Sequence, residues 1–472
     1  MRKANRSLTP VRWRGIAAHV LLWAAGAAGW AAFVTWGDIP FWFLDWRQEL
    51  SYLAPLREAL LRGSIPFHIS NGWHDTDRFL AVPVTMLAPH AVFLRWMSSG
   101  GFEVLHILAC YTAGYAGCVV FKRRYGLSWG AFVLFLALFS LNGYPAAHLA
   151  AGHVVWWAGY WLVPWFLAGV LIWAEDGPSV RLSLLLALLI FAAGLVGAFH
   201  YCTWFMLFVG LLAVTRPRWL GYAALTGVAA AALTAYRLLP GALAFPRNPY
   251  DAPGGFPDAA TLVAAFTALR LPDFCGESMG WWEYDFYTGW LGLGVVGALG
   301  VLPLILADRA SPADRARRVL LIPAGGLAVL ACGDVYRWIF SAVPAFSAER
   351  VTTRLLVLPV AVAVALAAIH FDRFRPARMP RWWRAAAGFG FALLVADLGR
   401  HAWAWRVAEA ARLVPRSMSP PVAVSALIVK SDPAYVRAVA IGWAVSALAL
   451  AGTAWWVWVR GRTRARPTRR SR

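Results

Sequence analysis

The sequence predicts an all-α integral membrane protein with about twelve transmembrane helices, and three observations carry that prediction. Of the 472 residues, 60% are hydrophobic and only 14% are charged, whereas soluble domains carry about 25% charged residues. The mean hydropathy is +0.58. Apolar stretches long enough to cross a bilayer, which takes roughly 20 residues, recur along the chain. In hydrocarbon such stretches are stable as helices, because a helix satisfies its own backbone groups.

The first apolar stretch follows a basic N-terminus and is too long for a signal-peptide core of about 7–15 residues, so we interpret it as a retained helix. The predicted spans cover residues 15–36, 101–121, 129–146, 154–174, 182–199, 201–215, 218–239, 288–307, 318–333, 354–371, 385–402 and 437–459. Twelve spans would place both termini on the same side of the membrane.

Basic residues divide unequally between the two predicted sides. If the N-terminus is cytoplasmic, the cytoplasmic segments hold 27 Lys and Arg against 5 acids, and the rest of the chain holds 17 against 18. Lys and Arg collect on the cytoplasmic side, so both termini are predicted to be cytoplasmic. Topology therefore accounts for the net charge of +21, which does not indicate nucleic-acid binding. An Ala- and Arg-rich chain with only three Lys suggests a GC-rich bacterial genome. We therefore expect the protein in a bacterial plasma (inner) membrane.

Residues 79–97 are apolar enough to compete as a further span. Pro83 and Pro89 would break a helix there, and counting the run would move Lys122–Arg124 to the outer side. We therefore interpret it as a re-entrant or interfacial element of a large outer loop, 37–100. A second large outer loop covers 240–287. The division that follows is one polytopic membrane domain, 1–459, and a basic cytoplasmic tail, 460–472.

The first outer loop contains the catalytic candidate. Residues 55–62, PLREALLR, predict a short amphipathic helix that begins at Pro55, and such a helix would lie flat on the membrane. Asp45 precedes it among aromatic residues. Partial desolvation there should raise the pKa of Asp45, which suits a general base. The alternative is an Asp that caps a turn beside Trp46.

The other acidic residues of this loop are predicted to have no catalytic role. Glu49 and Glu58 are predicted to belong with the amphipathic helix, and Asp75 and Asp77 with solvated loop. None of these four is predicted to take part in chemistry.

His148 and His153 stand five residues apart, flanked by small residues, between the third and fourth spans. They could bind a substrate, or a metal if a carboxylate joined them. Asp45 with His153 is the pair that we consider for a divalent cation, Mg²⁺ or Mn²⁺. Polar anchors at the membrane interface are the equal alternative.

In the second outer loop, aromatic residues alternate with acids across WWEYDFYTGW. Trp282, Glu283 and Asp285 are substrate-binding candidates, because aromatic faces and carboxylates together hold sugars. The same pattern is typical of an interfacial aromatic belt. The belt is favoured here, since a helix is predicted to begin immediately at Gly289.

Arg350 and Arg354 lie at the outer end of the tenth predicted span, and Arg237 at that of the seventh. Basic groups at membrane depth tend to mark an anionic ligand, and the Arg side chain offers paired donors to a phosphate. The alternatives are snorkelling, or pairing with Glu349 or Asp397.

With these residues identified, the chain resembles the polytopic type C (GT-C) glycosyltransferases. The resemblance rests on LDWRQELSYLAPLREALLRGSIPF after the first span, with Asp45 in the acidic position. Within that superfamily it is most similar to bacterial membrane proteins grouped with lipoteichoic-acid-glycosylating enzymes. The matching pieces are LTAYRLLPGALAFPRNPYD, WEYDFYTGWLGLG, FSAERVTTRLLVLPV and VADLG.

The resemblance implies an inverting hexosyl or pentosyl transfer from a polyprenyl-phosphate sugar to a glycan, lipid or protein acceptor on the outer face. It carries Asp45 over as the catalytic residue and places Arg350 or Arg354 near the lipid phosphate. Two features depart from the superfamily pattern: no adjacent acidic pair follows the first span, and there is no sizeable soluble C-terminal domain. These departures leave the metal requirement and the acceptor open.

Two other functions fit the sequence. Twelve helices with both ends inside also suit a transporter or lipid flippase. Transporters usually place polar groups near the bilayer midplane and show internal repeats, whereas here the ionisable residues collect at the outer rim. A non-catalytic partner of cell-envelope assembly is the third interpretation that the sequence leaves open.

Overall fold

The chain is almost entirely helical, as predicted. The structure is a computed structural model that describes residues 10–38, 45–70, 76–244, 254–269, 280–306, 311–340, 349–374, 380–411 and 425–464. Within these ranges, two short antiparallel strands, β1 (His68–Ile69) and β2 (Leu427–Ile428), join the first loop to the segment before the last helix.

The helices of the first half of the chain surround most of the candidate site. They are α1 (Pro10–Phe33), α2 (Asp45–Arg62), α3 (Ser99–Tyr125), α4 (Trp129–Ser140), α5 (Gly143–Ala150), α6 (Val154–Tyr160), α7 (Val163–Asp176), α8 (Val180–Leu195), α9 (Phe199–Val214) and α10 (Leu220–Leu233).

The helices of the second half are on average shorter, apart from three long ones near the end. They are α11 (Ala235–Ala244), α12 (Ala259–Thr267), α13 (Gly289–Val295), α14 (Leu302–Ile305), α15 (Pro312–Arg317), α16 (Leu321–Leu330), α17 (Gly333–Phe340), α18 (Val357–Phe371), α19 (Arg381–Ala411) and α20 (Pro433–Arg464). A π-helical turn, Val296–Val301, connects α13 to α14.

Six helical segments among the described residues are long and apolar enough to cross a membrane, and the number rises to eight if each of two bent pairs is one span. The bent pairs are Pro217–Leu233 with Ala235–Ala244, and Pro312–Leu330 with Gly333–Ile339. Every one of the twelve predicted stretches falls on helix, but α8, α9 and the Gly289–Ile305 segment are shorter apolar helices. The structure thus confirms a membrane protein of helices and does not confirm the number twelve.

Local signals explain where several helices begin and end. Serine side chains accept a backbone N–H three residues on at the starts of α3, α4 and α8, which satisfies a donor that the first turn leaves unpaired. Helix α3 ends at Gly126, whose φ of +62° is the left-handed conformation that favours glycine at this position. The basic residues of its last turn, Lys122–Arg124, also suit the negative end of the helix dipole.

The interior is packed with aromatic side chains between α3, α4, α6 and α18. Trp157 and Trp161 are fully buried there. A Cβ added at Gly114 of α3 would lie 2.5 Å from the Trp161 ring, so the missing side chain is what lets the helix approach this ring. Close packing through small residues is how membrane helices associate without a hydrophobic driving force.

Helix α2 begins ten residues earlier than predicted, at Asp45, and Pro55 lies in its interior. A proline inside a helix removes one backbone hydrogen bond, but the turns before it are stabilised by burial of Trp46, Tyr52 and Leu53. The helix therefore packs against protein along this face, while Leu61 near its C-terminal end is exposed.

The run 79–97 contains no candidate span, as predicted, and forms two 3₁₀ turns, Phe79–Ala81 and Pro89–Arg95. Arg237, at the bend between α10 and α11, donates to the Val82 carbonyl at 3.0 Å and also bonds Thr85. The structure thus gives Arg237 a partner in this run. It joins α11 to the irregular backbone of this run.

At the opposite end of the bundle, acidic and basic groups tie three helices together. Arg317 of α15 donates to Glu175 of α7 at 2.6 Å and to Asp314 at 3.1 Å. His370 of α18 lies 3.1 Å from Asp314. The charge distribution predicts that this end is cytoplasmic. Its ion pairs hold α7, α15 and α18 together.

Candidate active site

Asp45 is held beside the turn that connects α5 to α6. Its backbone N–H donates to the Ala151 carbonyl at 3.3 Å, and the Trp46 indole N–H donates to the Leu149 carbonyl at 3.0 Å. Gly152 makes this approach possible, since its φ is +80° and an added Cβ would lie 2.1 Å from the Trp46 nitrogen. The start of α2 and the α5–α6 turn therefore form one unit that places Asp45 next to His153.

The two histidines meet each other and Asp45. The Nδ1 atoms of His148 and His153 are 2.7 Å apart, so one must donate and the other accept. Nε2 of His153 is 3.3 Å from an Asp45 oxygen. A consistent arrangement has His148 Nδ1–H donating to His153 Nδ1, and His153 Nε2–H donating to Asp45.

In this arrangement, Nε2 of His148 carries a lone pair. That atom is buried and lacks a hydrogen-bond partner among the residues that the structure describes. A buried acceptor of this kind is unfavourable until a donor or a cation reaches it. Nε2 of His148 is therefore the atom through which the cluster can bind a further hydrogen-bond donor or a cation.

Glu283 and Arg354 complete the cluster. Arg354 Nε donates to one Glu283 oxygen at 2.7 Å, and a second guanidinium nitrogen donates to the other oxygen. The Thr353 hydroxyl donates to the Glu283 carbonyl at 2.6 Å, and the guanidinium lies over the Trp156 ring at 4.5 Å. The partner of Arg354 is thus Glu283, not Glu349 or Asp397.

The pKa of Asp45 is lowered, so the prediction of a raised pKa is wrong. Burial alone would raise it, but the charge and hydrogen bond of His153, followed by the charges of Arg354 and Arg350, outweigh that effect. The carboxylate is surrounded by protein, yet 45% of the side chain remains exposed. Asp45 is therefore an ionised group that solvent or a substrate can reach.

The pKa of Glu283 is lowered for the same kind of reason. Its burial would raise the pKa, whereas the adjacent Arg354 and then His153 lower it. Nδ1 of His153 is 3.9 Å from a Glu283 oxygen, which is too long for a hydrogen bond but close enough for attraction. Two ionised carboxylates and one guanidinium therefore surround His153.

Arg350 is exposed beside this cluster, and its charge acts on Asp45. Its backbone carbonyl accepts from the N–H of Gly254 at 2.6 Å, so the second outer loop touches the chain here. The neighbouring residue, Glu349, is buried and accepts from the Trp204 indole at 3.0 Å, with His200 Nδ1 at 2.7 Å. A second polar group thus lies near Arg354, because Trp156, which contacts the guanidinium, also has its ring centroid 4.1 Å from that of His200.

Asp285 does not join the cluster. It accepts from the Trp405 indole at 2.6 Å and lies 3.0 Å from Nε2 of His401, while Tyr287 stacks on the His401 ring at 4.1 Å. These contacts attach the second loop to α19. Asp285 is fully engaged in positioning the segment that carries Glu283.

Trp282 and its neighbours are inside the protein. Trp281, Trp282, Tyr284 and Tyr287 are all buried, so the favoured interpretation as an interfacial aromatic belt is wrong. The segment begins with a 3₁₀ turn, Trp281–Glu283, and leads into α13 at Gly289 as predicted. Its aromatic rings fill the space behind Glu283.

The sequence underestimated one acidic residue of the first loop. Glu49, predicted to be an ordinary helix residue, is only 8% exposed. Glu58 does behave as predicted and pairs with Arg62 at 2.5 Å. Asp77 is partly exposed and pairs with Lys430 at 2.7 Å, and Asp75 lies outside the described residues.

The described residues that could hold a metal ion are His148, His153 and Glu283. Each offers one ligand atom, and these atoms lie within 4.8 Å of one another. Two imidazoles and one carboxylate suit a transition metal such as Mn²⁺, whereas Mg²⁺ prefers oxygen ligands alone. Nε2 of His148 offers a buried lone pair for this role, whereas Nδ1 of His153 could bind the ion only after giving up its hydrogen bond with His148. Asp45, the other predicted ligand, lies against His153 on its opposite nitrogen.

No protein-family model, curated protein or solved structure matches this chain. The cluster of Asp45, His148, His153, Glu283 and Arg354 is therefore the basis of the function proposed next.

Proposed function

We propose that this protein is a membrane glycosyltransferase. It transfers a sugar from a polyprenyl-phosphate donor to a glycan, lipid or protein acceptor at the outer face of a bacterial plasma membrane. The proposal includes a type C-like arrangement of about twelve spans with both termini in the cytoplasm. The six to eight candidate spans among the described residues support a helical membrane protein, and the number twelve and the position of the termini belong to the proposal.

One observation carries the proposal. An ionised, partly exposed carboxylate, Asp45, stands 3.3 Å from a buried histidine at the end of a membrane bundle, under the charges of Arg354 and Arg350. A lipid-linked sugar phosphate needs these groups together: an acceptor for the hydroxyl proton, positive charge for the phosphodiester and apolar helices for the lipid chain. Asp45 and His153 are also the pair that the sequence singled out.

In the reaction, the acceptor oxygen forms a bond to the anomeric carbon while the bond from that carbon to the phosphate oxygen breaks. The configuration inverts, and polyprenyl phosphate leaves with the electron pair. Asp45 accepts the proton of the acceptor hydroxyl. A weak base suffices, because the hydroxyl becomes strongly acidic as its oxygen bonds to the anomeric carbon. His153 orients Asp45 through its Nε2–H, which leaves carboxylate lone pairs for the acceptor.

The two arginines have different tasks. Arg354 is buried in its pair with Glu283, so it contributes positive potential from within. Arg350 is exposed next to the cluster and is the side chain that we assign to the donor phosphate, since Arg recognises phosphate through paired donors. A Mn²⁺ ion on His148, His153 and Glu283 would supply further positive charge near the leaving group.

The test is transfer by the purified full-length protein in proteoliposomes, with a panel of labelled polyprenyl-phosphate sugars. General acid–base groups contribute roughly 10²–10⁴-fold, so Asp45→Asn should lose at least about a hundredfold in rate. Asp77→Asn is the matched control, because Asp77 lies on the same loop and pairs with Lys430 instead. Full activity of Asp45→Asn would remove Asp45 from this role.

The same vesicles distinguish the transport interpretation. If no donor is turned over while a labelled lipid crosses the bilayer in a protein-dependent way, the protein is a transporter or flippase. If the vesicles show neither transfer nor lipid transport, the result favours a non-catalytic partner of cell-envelope assembly.

A further inference from the structure

A second pair of polar side chains, His200 and Glu349, lies beside the candidate active site and has no role in the proposed reaction. His200 is near the start of α9, and Glu349 comes just before the 3₁₀ turn Thr352–Leu356. Nδ1 of His200 is 2.7 Å from Oε2 of Glu349. The two side chains are only 12% and 7% exposed. Burial of such groups is unfavourable unless hydrogen bonds replace the lost water, so their remaining hydrogen-bonding capacity indicates whether they bind a ligand.

One oxygen of Glu349 has two partners and the other has none. His200 and Trp204 are four residues apart on α9 and therefore lie on one face of that helix. Both reach Oε2, to which the Trp204 indole N–H donates at 3.0 Å. Oε1 is buried and lacks a hydrogen-bond partner among the residues that the structure describes. A purely structural pair would use both oxygens, whereas here Oε1 can accept from a ligand.

The imidazole of His200 offers a second acceptor. Because the Glu349 carboxylate accepts, Nδ1 carries the hydrogen, and Nε2 of the neutral ring then keeps its lone pair. Burial lowers the pKa of His200, against the charge of Glu349, so the ring is neutral at pH 7. Glu349 thus fixes the tautomer and the orientation of His200.

Trp156 connects this pair to the candidate active site. It stands three residues after His153, the residue that precedes α6. The ring centroids of Trp156 and His200 are 4.1 Å apart, and the guanidinium carbon of Arg354 lies 4.5 Å from the centroid of the same indole. His200 is therefore one aromatic ring away from the charge that pairs with Glu283.

The turn that precedes His200 is fixed against the run 79–97. Gly197 has a φ of +78°, and an added Cβ there would lie 2.5 Å from the Val84 carbonyl oxygen. The Leu87 N–H donates to the Leu195 carbonyl at 2.8 Å. The pair is therefore held in place before a ligand arrives, which reduces the entropy that binding costs.

The chemistry of the pair selects the class of ligand. Nε2 and Oε1 both accept, so the ligand must donate hydrogen bonds. A phosphodiester offers no donor and does not fit here. A cation is disfavoured, because the charge of Arg354 already acts on His200. Hydroxyl groups meet both requirements, since they donate and carry no charge.

We propose that His200 and Glu349 form a subsite for the hydroxyl groups of a sugar, with Nε2 of His200 and Oε1 of Glu349 as the acceptors. His200 binds the ligand, and Glu349 also positions His200. The subsite stands on these contacts, while its assignment to the donor sugar or to a sugar acceptor rests on the proposed function.

The first experiment is ¹⁵N NMR of the full chain in lipid nanodiscs, labelled at histidine and titrated with a panel of methyl glycosides. The Nε2 resonance of His200 is identified by its absence from His200→Asn. It should be that of an unprotonated nitrogen and should shift with at least one glycoside. Tetrahydropyran, a ring of the same kind without hydroxyl groups, should leave it in place. A resonance that no glycoside moves would overturn the proposal.

Two substitutions of His200 separate binding from folding. The amide nitrogen of Asn reaches about as far as Nδ1, so His200→Asn keeps a donor to Glu349 and loses the acceptor at Nε2. The longer Gln side chain reaches the position of Nε2, so His200→Gln does the reverse. His200→Asn should unfold at a higher temperature than His200→Gln and yet bind the sugar more weakly. If affinity follows stability in both variants, the role is structural and the proposal fails.

The last experiment distinguishes the two sources of the hydroxyl groups. It measures binding of a labelled polyprenyl-phosphate sugar and of polyprenyl phosphate in nanodiscs, and the KM for the acceptor in proteoliposomes. If the subsite holds the donor sugar, His200→Asn should weaken binding of the first lipid by about two- to tenfold and leave the second unchanged. If it holds the acceptor, the KM for the acceptor should rise by a similar factor at unchanged donor binding.

The control is His19→Asn, which alters a histidine that bonds Tyr115 at 3.0 Å between α1 and α3 and should change neither quantity. Unchanged donor binding and unchanged KM in His200→Asn would refute the subsite. If wild type neither binds nor turns over any donor, the proposed function is refuted instead, and the titration with methyl glycosides still decides whether the subsite exists.

Discussion

Replacing Arg354 with Met should destabilise the protein by about 3–5 kcal/mol, because it leaves the Glu283 carboxylate buried without its partner. The side chains of both residues are only 6% exposed. Arg354 donates to both oxygens of Glu283, so the substitution removes two charge-assisted hydrogen bonds at once.

The magnitude follows from these contacts. A hydrogen bond to a charged group contributes about 1.5–3 kcal/mol, and two such bonds reach the range measured when a buried ion pair loses one member. His153 does not replace the lost donor, since its Nδ1 is 3.9 Å from Glu283. Met fills most of the volume of the Arg stem, so the lost contact with Trp156 adds little.

The assay is reversible unfolding of the purified protein in mixed micelles for wild type, Arg354→Met, Glu283→Gln and the double variant. The double variant should be less destabilised than the sum of the single ones, because it buries no unpaired charge. Arg62→Met is the matched control. It breaks the pair with Glu58, in which the Arg side chain is 64% exposed and the Glu side chain 33%, and exposed pairs contribute about 0–1 kcal/mol.

The pH dependence gives an independent check. In wild type, the depressed pKa of Glu283 contributes stability that is present above the usual Glu pKa and is lost as the pH falls through the folded value. In Arg354→Met the carboxyl can take up a proton, so the deficit should shrink in acid. An Arg354→Met variant within about 1 kcal/mol of wild type at neutral pH would contradict the buried pair.

Three further outcomes are expected. Gly152→Ala should cost more stability than Gly177→Ala, because both positions have positive φ but only Gly152 is pressed against the Trp46 nitrogen; equal thermal unfolding temperatures would refute that contact. The stability of wild type should decline as the pH rises from about 4.5 through about 8, since the raised pKa of Glu49 stabilises only its protonated form, and Glu49→Gln should reduce this slope. Saturating Mn²⁺ should raise the unfolding temperature of wild type, because an excess of a hundredfold over Kd adds about 2.7 kcal/mol to the free energy of unfolding. The unfolding temperature of His148→Ala should not change, and an equal rise in that variant would exclude the assigned ligands.

Several features of the site follow from residue type and order. Asp45 and His153 were paired because both are predicted to lie on the outer side of the membrane, and the structure places them 3.3 Å apart. Hydropathy located every predicted span on helix, since apolar length is the dominant signal in a membrane chain. It did not settle how many helices cross, because α8 and α9 are apolar but short.

Other features depend on contacts that no local pattern encodes. Arg354 could have paired with any of several acids. The choice of Glu283 depends on how the 3₁₀ turn Trp281–Glu283 packs against the 3₁₀ turn Thr352–Leu356, which leads into α18. Glu49 resembles any polar residue of an amphipathic helix. Its burial arises because α2 packs against α3 and the Pro89–Arg95 turn.

By itself, the sequence determined the membrane class, the helical segments and the acidic loop that carries Asp45, because hydropathy and charge act along the chain. Only the tertiary structure decided which acidic side chains of that loop are ionised. It lowers the pKa of Asp45 through His153 and the arginines and raises that of Glu49 by burial. These opposite shifts arise because the energy of a charge depends on which groups and how much water surround it in space.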